Sequence, residues 1–180
     1  MAKLHKDRLH VFSQPINQKS VQELIKSIAD INAVDDDKSG HLKKYKRKPI
    51  QIIFNTNGGS VYEGLGLISA IQWSQTPVHI TVMGRAMSMG LFILMAADKR
   101  MISTYSTLMY HQITTASWDK IEGLKATLKE SERLEKVCEN LLFQRSKITP
   151  EHLEPYKQQK KEWYITPKEA LKLGLVDKII

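Results

Sequence analysis

Ser88 lies in the run Gly84-Arg85-Ala86-Met87-Ser88-Met89-Gly90, where small neighbours leave its hydroxyl open to an approaching carbonyl. A serine nucleophile needs a base to take its proton and N–H donors aimed at the oxyanion that forms. His111, in Met109-Tyr110-His111-Gln112, is the candidate base. The residues after Ser88, from Leu91 to Ala97, are apolar on all sides and predict a buried helix. Opening at Met89, that helix offers a free peptide N–H and the positive end of its dipole. A second N–H can come from Gly58-Gly59, because glycine accepts turn geometries that other residues resist. Each feature alone has a commoner structural role: a serine caps, a Gly-Gly pair turns, a strand histidine hydrogen-bonds. Their order and context together point to acyl transfer.

The surrounding elements must bring these pieces to one place. Leu9 to Phe12 reads as a short strand, followed by a helix with Ser20-x-x-Glu23 as capping box and Val21, Leu24, Ile25, Ile28 and Ile31 at helical spacing. Ile50, Ile52, Ile53 and Phe54 form the nearly continuous apolar run of a strand covered on both faces. Ser60-x-x-Glu63 caps a second helix, and Pro77 precedes a strand in which Val78, Ile80 and Val82 alternate with His79, Thr81 and Met83. Leu108 to Ile113 reads as a strand containing His111, and about Ser117 to Arg145 as a long amphipathic helix. Thr166-Pro167-Lys168-Glu169 opens a further helix, Gly174 ends it, and Leu175 to Ile180 returns to a strand. Strands alternating with helices predict an α/β fold, and residues 1–180 read as one domain with no repeat or linker.

Composition narrows the classes of function. The single cysteine, Cys138, excludes an intramolecular disulfide, and its place among Leu134, Leu141 and Leu142 suggests a packed thiol in a reducing cytosol. No apolar segment follows Met1 to Asp7 as a leader requires, and none has the length of a membrane span. The net charge of +8 raises a nucleic-acid partner, centred on Lys43, Lys44, Lys46, Arg47 and Lys48. That run has one aromatic, Tyr45, and follows Asp35, Asp36, Asp37, Ser39 and Gly40, so it reads as a solvated loop instead.

Three blocks, Asn55-Thr56-Asn57-Gly58-Gly59-Ser60-Val61, Gly84 to Gly90 and Met109 to Gln112, resemble those of the ClpP family, the proteolytic subunits of Clp proteases. A fourth, Tyr164-Ile165-Thr166-Pro167-Lys168-Glu169-Ala170 through Gly174-Leu175-Val176-Asp177, resembles that family's carboxy-terminal helix. The resemblance implies the ClpP/crotonase-like fold of repeated strand-strand-helix units, with the stretch from Ser117 to Arg145 as a long handle helix. It implies Ser88 as nucleophile, His111 as base and the N–H groups of Gly59 and Met89 as oxyanion donors, with no metal or organic cofactor.

Matching the fourth block puts Glu162 where the family has its third triad member, an aspartate. Asp98 and Asp119 are alternatives that do not match the motif. The resemblance also implies peptide or unfolded-protein substrates, seven-membered homo-oligomeric rings and an AAA+ unfoldase partner. The short segment Met1 to Lys6 before the first strand and the enlarged charged loop from Asp35 to Lys48 argue against that last partner. The segment Ile113 to Trp118 lacks the family's proline and glycine-rich strand, which binds substrate and helps join rings. Two other readings compete with a serine endopeptidase: a ring-forming structural or interaction protein with weak or lost catalysis, and a crotonase-type acyl-CoA enzyme.

Overall fold

Alternating burial along two apolar runs builds the centre of the molecule. In the computed structural model, which describes residues 6–180, the strands β2 (Ile50–Thr56) and β3 (Val78–Met87) run parallel at the middle of a seven-stranded sheet. Ile50, Ile52, Phe54, Val78, Ile80 and Val82 are fully buried between layers of helices. Strand β1 (Leu9–Phe12) lies parallel to the outer side of β2.

Strand β3 changes partner along its length. Its first half pairs with β4 (Lys99–Ile102), which continues to β7 (Lys178–Ile179), and its second half pairs with β5 (Thr107–Tyr110). The switch falls at Gly84, whose φ of 108° and packing against the Asn55 side chain admit no Cβ. The Gly84 N–H donates to Ser106 Oγ at 2.8 Å, which fixes the bend. Strand β6 (Trp163–Ile165) closes this side of the sheet, antiparallel to β5.

Six α-helices connect and cover the strands among the described residues. Helix α1 (Gln18–His41) has Asn17 as its cap: Asn17 Oδ1 accepts the Ser20 N–H, and Ser20 Oγ accepts the Asn17 N–H, each at 3.0 Å. Ser20 is thus the third helical residue, not the cap expected, because Asn17 offers the better-placed acceptor. The expected loop from Asp35 is also helical as far as His41. Asp35 is fully buried, with its carboxylate held by Arg8, Tyr45 and Thr76, so the helix cannot end before it.

Ser60 caps α2 (Val61–Trp73) as expected, and α3 (Met89–Ala96) is buried at every residue. Helix α4 (Ile121–Arg145) buries Leu134, Cys138 and Leu142 of its second half and leaves Ile121, Leu124 and Leu128 of its first half exposed. Helix α5 (Pro150–Gln159) was not expected, although Thr149-Pro150 is a sequence signature of a helix start. Helix α6 (Pro167–Lys172) has the Thr166/Glu169 capping box, and Gly174 turns away beyond it with φ 71°. Among the described residues no helix is long and apolar enough to cross a membrane. Residues 1–5, most of the segment before the first strand, on which the expectation about an unfoldase partner partly rests, lie outside the described residues.

Candidate active site

Ser88 stands between the end of β3 and the start of α3 with φ 53° and ψ −123°. A non-glycine residue there carries strain on the order of 1–3 kcal/mol and persists only when its surroundings fix it. They do: the Ser88 N–H donates to the Met109 carbonyl of β5 at 2.9 Å, and the Ser88 carbonyl accepts from the Leu91 N–H at 3.0 Å. Although Ser88 occupies the cap position of α3, its side chain makes no capping bond. The hydroxyl is therefore not engaged by the commonest structural role of a serine at a helix start.

Gly58 and Gly59 sit directly against this turn. A Cβ on Gly58, whose φ is 100°, would lie 2.8 Å from both Ser88 Cβ and the Met87 carbonyl oxygen. Gly59, with φ 149°, forms a parallel bridge to Ile16, in which the Ile16 N–H donates to Gly58 and the Ser60 N–H donates to Ile16, each at 2.9 Å. That pattern leaves the Gly59 N–H on the opposite side of the chain. Met89 is the first residue of α3, so its N–H has no intrahelical acceptor. A cavity of about 200 Å³ brings Gly59, Ser88, Met89 and His111 together, with Phe92 and Cys138 at its wall. Burial pushes the Cys138 thiol up to about 12, so it is a packing group at neutral pH.

His111 lies one residue beyond the end of β5 rather than within a strand, because the ladder to β6 ends at the pair Tyr110 and Trp163. Leu108 faces Ile165, Met109 faces Tyr164 and Tyr110 faces Trp163. One further step in this antiparallel register sets Glu162 opposite His111, and the two line a second cavity of about 650 Å³. The Glu162 carboxylate accepts the Tyr164 hydroxyl, and no hydrogen bond joins His111 to Glu162 or to Ser88. Asp98 instead accepts the Val78 N–H and Asp119 the Lys120 N–H, and neither lines the cavities at His111.

Sequence reasoning passed over Glu135, Glu139 and Lys157, which form a partly buried ion cluster behind His111. Two carboxylates four residues apart on the face of α4 that also carries Cys138 were the available signal.

A serine on a strained strand-to-helix turn, a histidine sharing its cavity and two uncommitted peptide N–H groups have the composition of a serine-type acyl-transfer site. The chain belongs to the Clp protease family, whose model matches residues 1–180. It is similar to the ATP-dependent Clp protease proteolytic subunit of Deinococcus radiodurans, 26% identical over 181 residues that cover 99% of this chain and 83% of that one. It is likewise similar to proteolytic subunit 1 of Prochlorococcus marinus strain NATL2A, at 24% identity covering 99% and 86%, and to subunit 2 of Synechococcus sp. strain CC9605, at 25% over the same shares. Such identities describe a divergent member, and the mixed α/β architecture with its parallel sheet agrees with the family fold.

Proposed function

We propose that this chain is a serine endopeptidase that cleaves short peptides or unfolded polypeptides through an acyl-enzyme on Ser88. The observation that carries the reading is the single cavity shared by Ser88, His111 and the peptide units of Gly59 and Met89. In this reading His111 takes the Ser88 proton as Oγ attacks the substrate carbonyl carbon. The Gly59 and Met89 N–H groups receive the oxyanion, and the same proton goes to the departing amine as the peptide bond breaks. Water, deprotonated by His111, then attacks the acyl carbon, and as the bond to Ser88 Oγ breaks the proton passes from His111 to Oγ and the carboxylic acid product leaves. Glu162, one residue before β6, orients the imidazole from the opposite side. No residue of this scheme calls for a metal or organic cofactor.

Homo-oligomeric rings that enclose the site belong to the proposal through membership of the family, and an ATP-dependent Clp partner through the relatives' printed names. Purified protein should hydrolyse a fluorogenic peptide and take up a fluorophosphonate, and Ser88→Ala should abolish both. Retained hydrolysis in that variant refutes the assignment. One observation favours the second reading, a scaffold with weak catalysis: Glu162 is bonded to Tyr164 and not to His111. Turnover that survives only as a trace in the assembled wild type would support it.

A further inference from the structure

Glu135 and Glu139 lie four residues apart on α4, a spacing at which like charges destabilise a helix. Both are largely buried, with side chains 18% and 11% exposed. The Lys157 ammonium from α5 lies between them, 3.2 Å from Glu135 Oε2 and 3.0 Å from Glu139 Oε1. Burial disfavours its charge, but bonds to Glu139 and then Glu135 hold its pKa above the ordinary lysine value. An arrangement that breaks a local rule and then compensates it at some cost has a role beyond packing to explain.

The remaining acceptor capacity of the two carboxylates goes to the chain around His111. The Tyr110 hydroxyl donates to Glu139 Oε1 at 2.6 Å, and the Ile113 N–H donates to Glu135 Oε1 at 3.3 Å. One anchor therefore precedes His111 by one residue and the other follows it by two. His111 needs them, because β5 ends at Tyr110 and the chain from 111 to 120 has no regular secondary structure. Lys157 also belongs to the helix that leads, through a left-handed turn at Lys160, to Glu162. We infer that Lys157, acting through Glu135 and Glu139, is a positioning residue that fixes the backbone on both sides of His111 so that its imidazole faces Ser88. Without the ammonium, two buried carboxylates repel each other, and the one that turns away releases Tyr110 or Ile113.

The inference rests on the serine-peptidase reading, and the test separates the two. Full-length wild type, Lys157→Met, Lys157→Arg and Tyr110→Phe are compared by the second-order rate of fluorophosphonate labelling, normalised to end-point stoichiometry so that only folded sites count. Hydrogen exchange over residues 110–114 is followed in parallel. Lys157→Met should label about 100-fold more slowly, the scale that a displacement of roughly 1 Å costs. Its exchange at Ile113 should rise, and Lys157→Arg, which keeps the charge, should recover labelling to within a few-fold. Tyr110→Phe removes one hydroxyl without opening the core; it should slow labelling several-fold, and it carries the test if Lys157→Met does not fold. Faster exchange with wild-type labelling per site in Lys157→Met, or unchanged labelling in Tyr110→Phe, overturns the inference. A wild type that takes up no label overturns the peptidase reading itself, before any variant is compared.

Discussion

Glu162 lies one residue before β6, where the register extended from Tyr110 and Trp163 sets it opposite His111, and a hydrogen bond draws its carboxylate to Tyr164. Contact with Glu162 also raises the Tyr164 hydroxyl above the ordinary tyrosine pKa, so this proton donor stays in place through neutral pH. If Glu162 orients His111, Tyr164→Phe frees it and should raise the labelling rate several-fold. Glu162→Gln should then lower kcat by up to about 10⁴-fold, the scale for loss of an orienting carboxylate. Labelling rates equal to wild type in both variants remove Glu162 from the mechanism. Gly58 gives a steric test of the facing turn. Its φ of 100° and the 2.8 Å approach of a Cβ to Ser88 leave no room for a side chain. Gly58→Ala should lose labelling, whereas Gly66→Ala, with open space on α2, should raise stability by about 0.5–1 kcal/mol. A thermal melt of both variants, with labelling on each, distinguishes a local effect on Ser88 from a general glycine effect.

At the scale of elements, one buried carboxylate ties the start of the chain to the sheet. Arg8 donates to both Asp35 oxygens, at 2.8 and 2.5 Å, and also to the Lys48 carbonyl, while Tyr45 and Thr76 donate to Asp35 at 2.5 and 2.6 Å. Burial alone would raise the Asp35 pKa, but bonds from Arg8, Thr76 and Tyr45 hold it well below the usual carboxylate range. A depressed folded pKa contributes stability that is complete above the unfolded value, about 4, and lost as pH falls through the folded one. Wild type should therefore lose stability below about pH 4 in part through Asp35. Arg8→Met, which strands the carboxylate, should cost about 3–5 kcal/mol at neutral pH by denaturant titration. A change within error at pH 7 would refute this account of the knot. The same residues show where the sequence was legible. Strands β2 and β3 and the buried helix α3 announce themselves through apolar periodicity, which is local. The Gly58-Gly59 turn is legible from residue type, because few side chains tolerate such backbones, and the Ser88 turn from its small neighbours Gly84, Ala86 and Gly90. Asp35 reads as loop in the sequence because its partners Arg8 and Thr76 are 27 and 41 residues away. Burial of a charge by distant partners leaves little local pattern: for the Lys157 cluster the one local sign is the Glu135 and Glu139 spacing on α4, and the lysine that pairs them lies on another helix.

At the scale of the molecule, α4 is docked for only part of its length. Its second half packs through Leu134, Cys138 and Leu142, while Ile121, Leu124 and Leu128 in the first half are 71%, 42% and 57% exposed. Helices stabilised by propensity alone are marginal at such lengths, and most draw their stability from a covered apolar face. Gly123 near the helix start lowers the intrinsic stability further. The first half of α4 therefore calls for cover from another surface, and in the ring assembly proposed above a second copy of the chain provides it. Leu124→Lys with Leu128→Lys puts two cations into that contact while leaving the intramolecular core untouched. Native mass measurement should show a wild-type oligomer and a smaller species for the double variant, whose loss of helical circular dichroism should match about half of α4. Its labelling should also fall, because α4 carries Glu135 and Glu139 behind His111. A wild type that is monomeric and fully helical at micromolar concentration refutes both the cover and the ring.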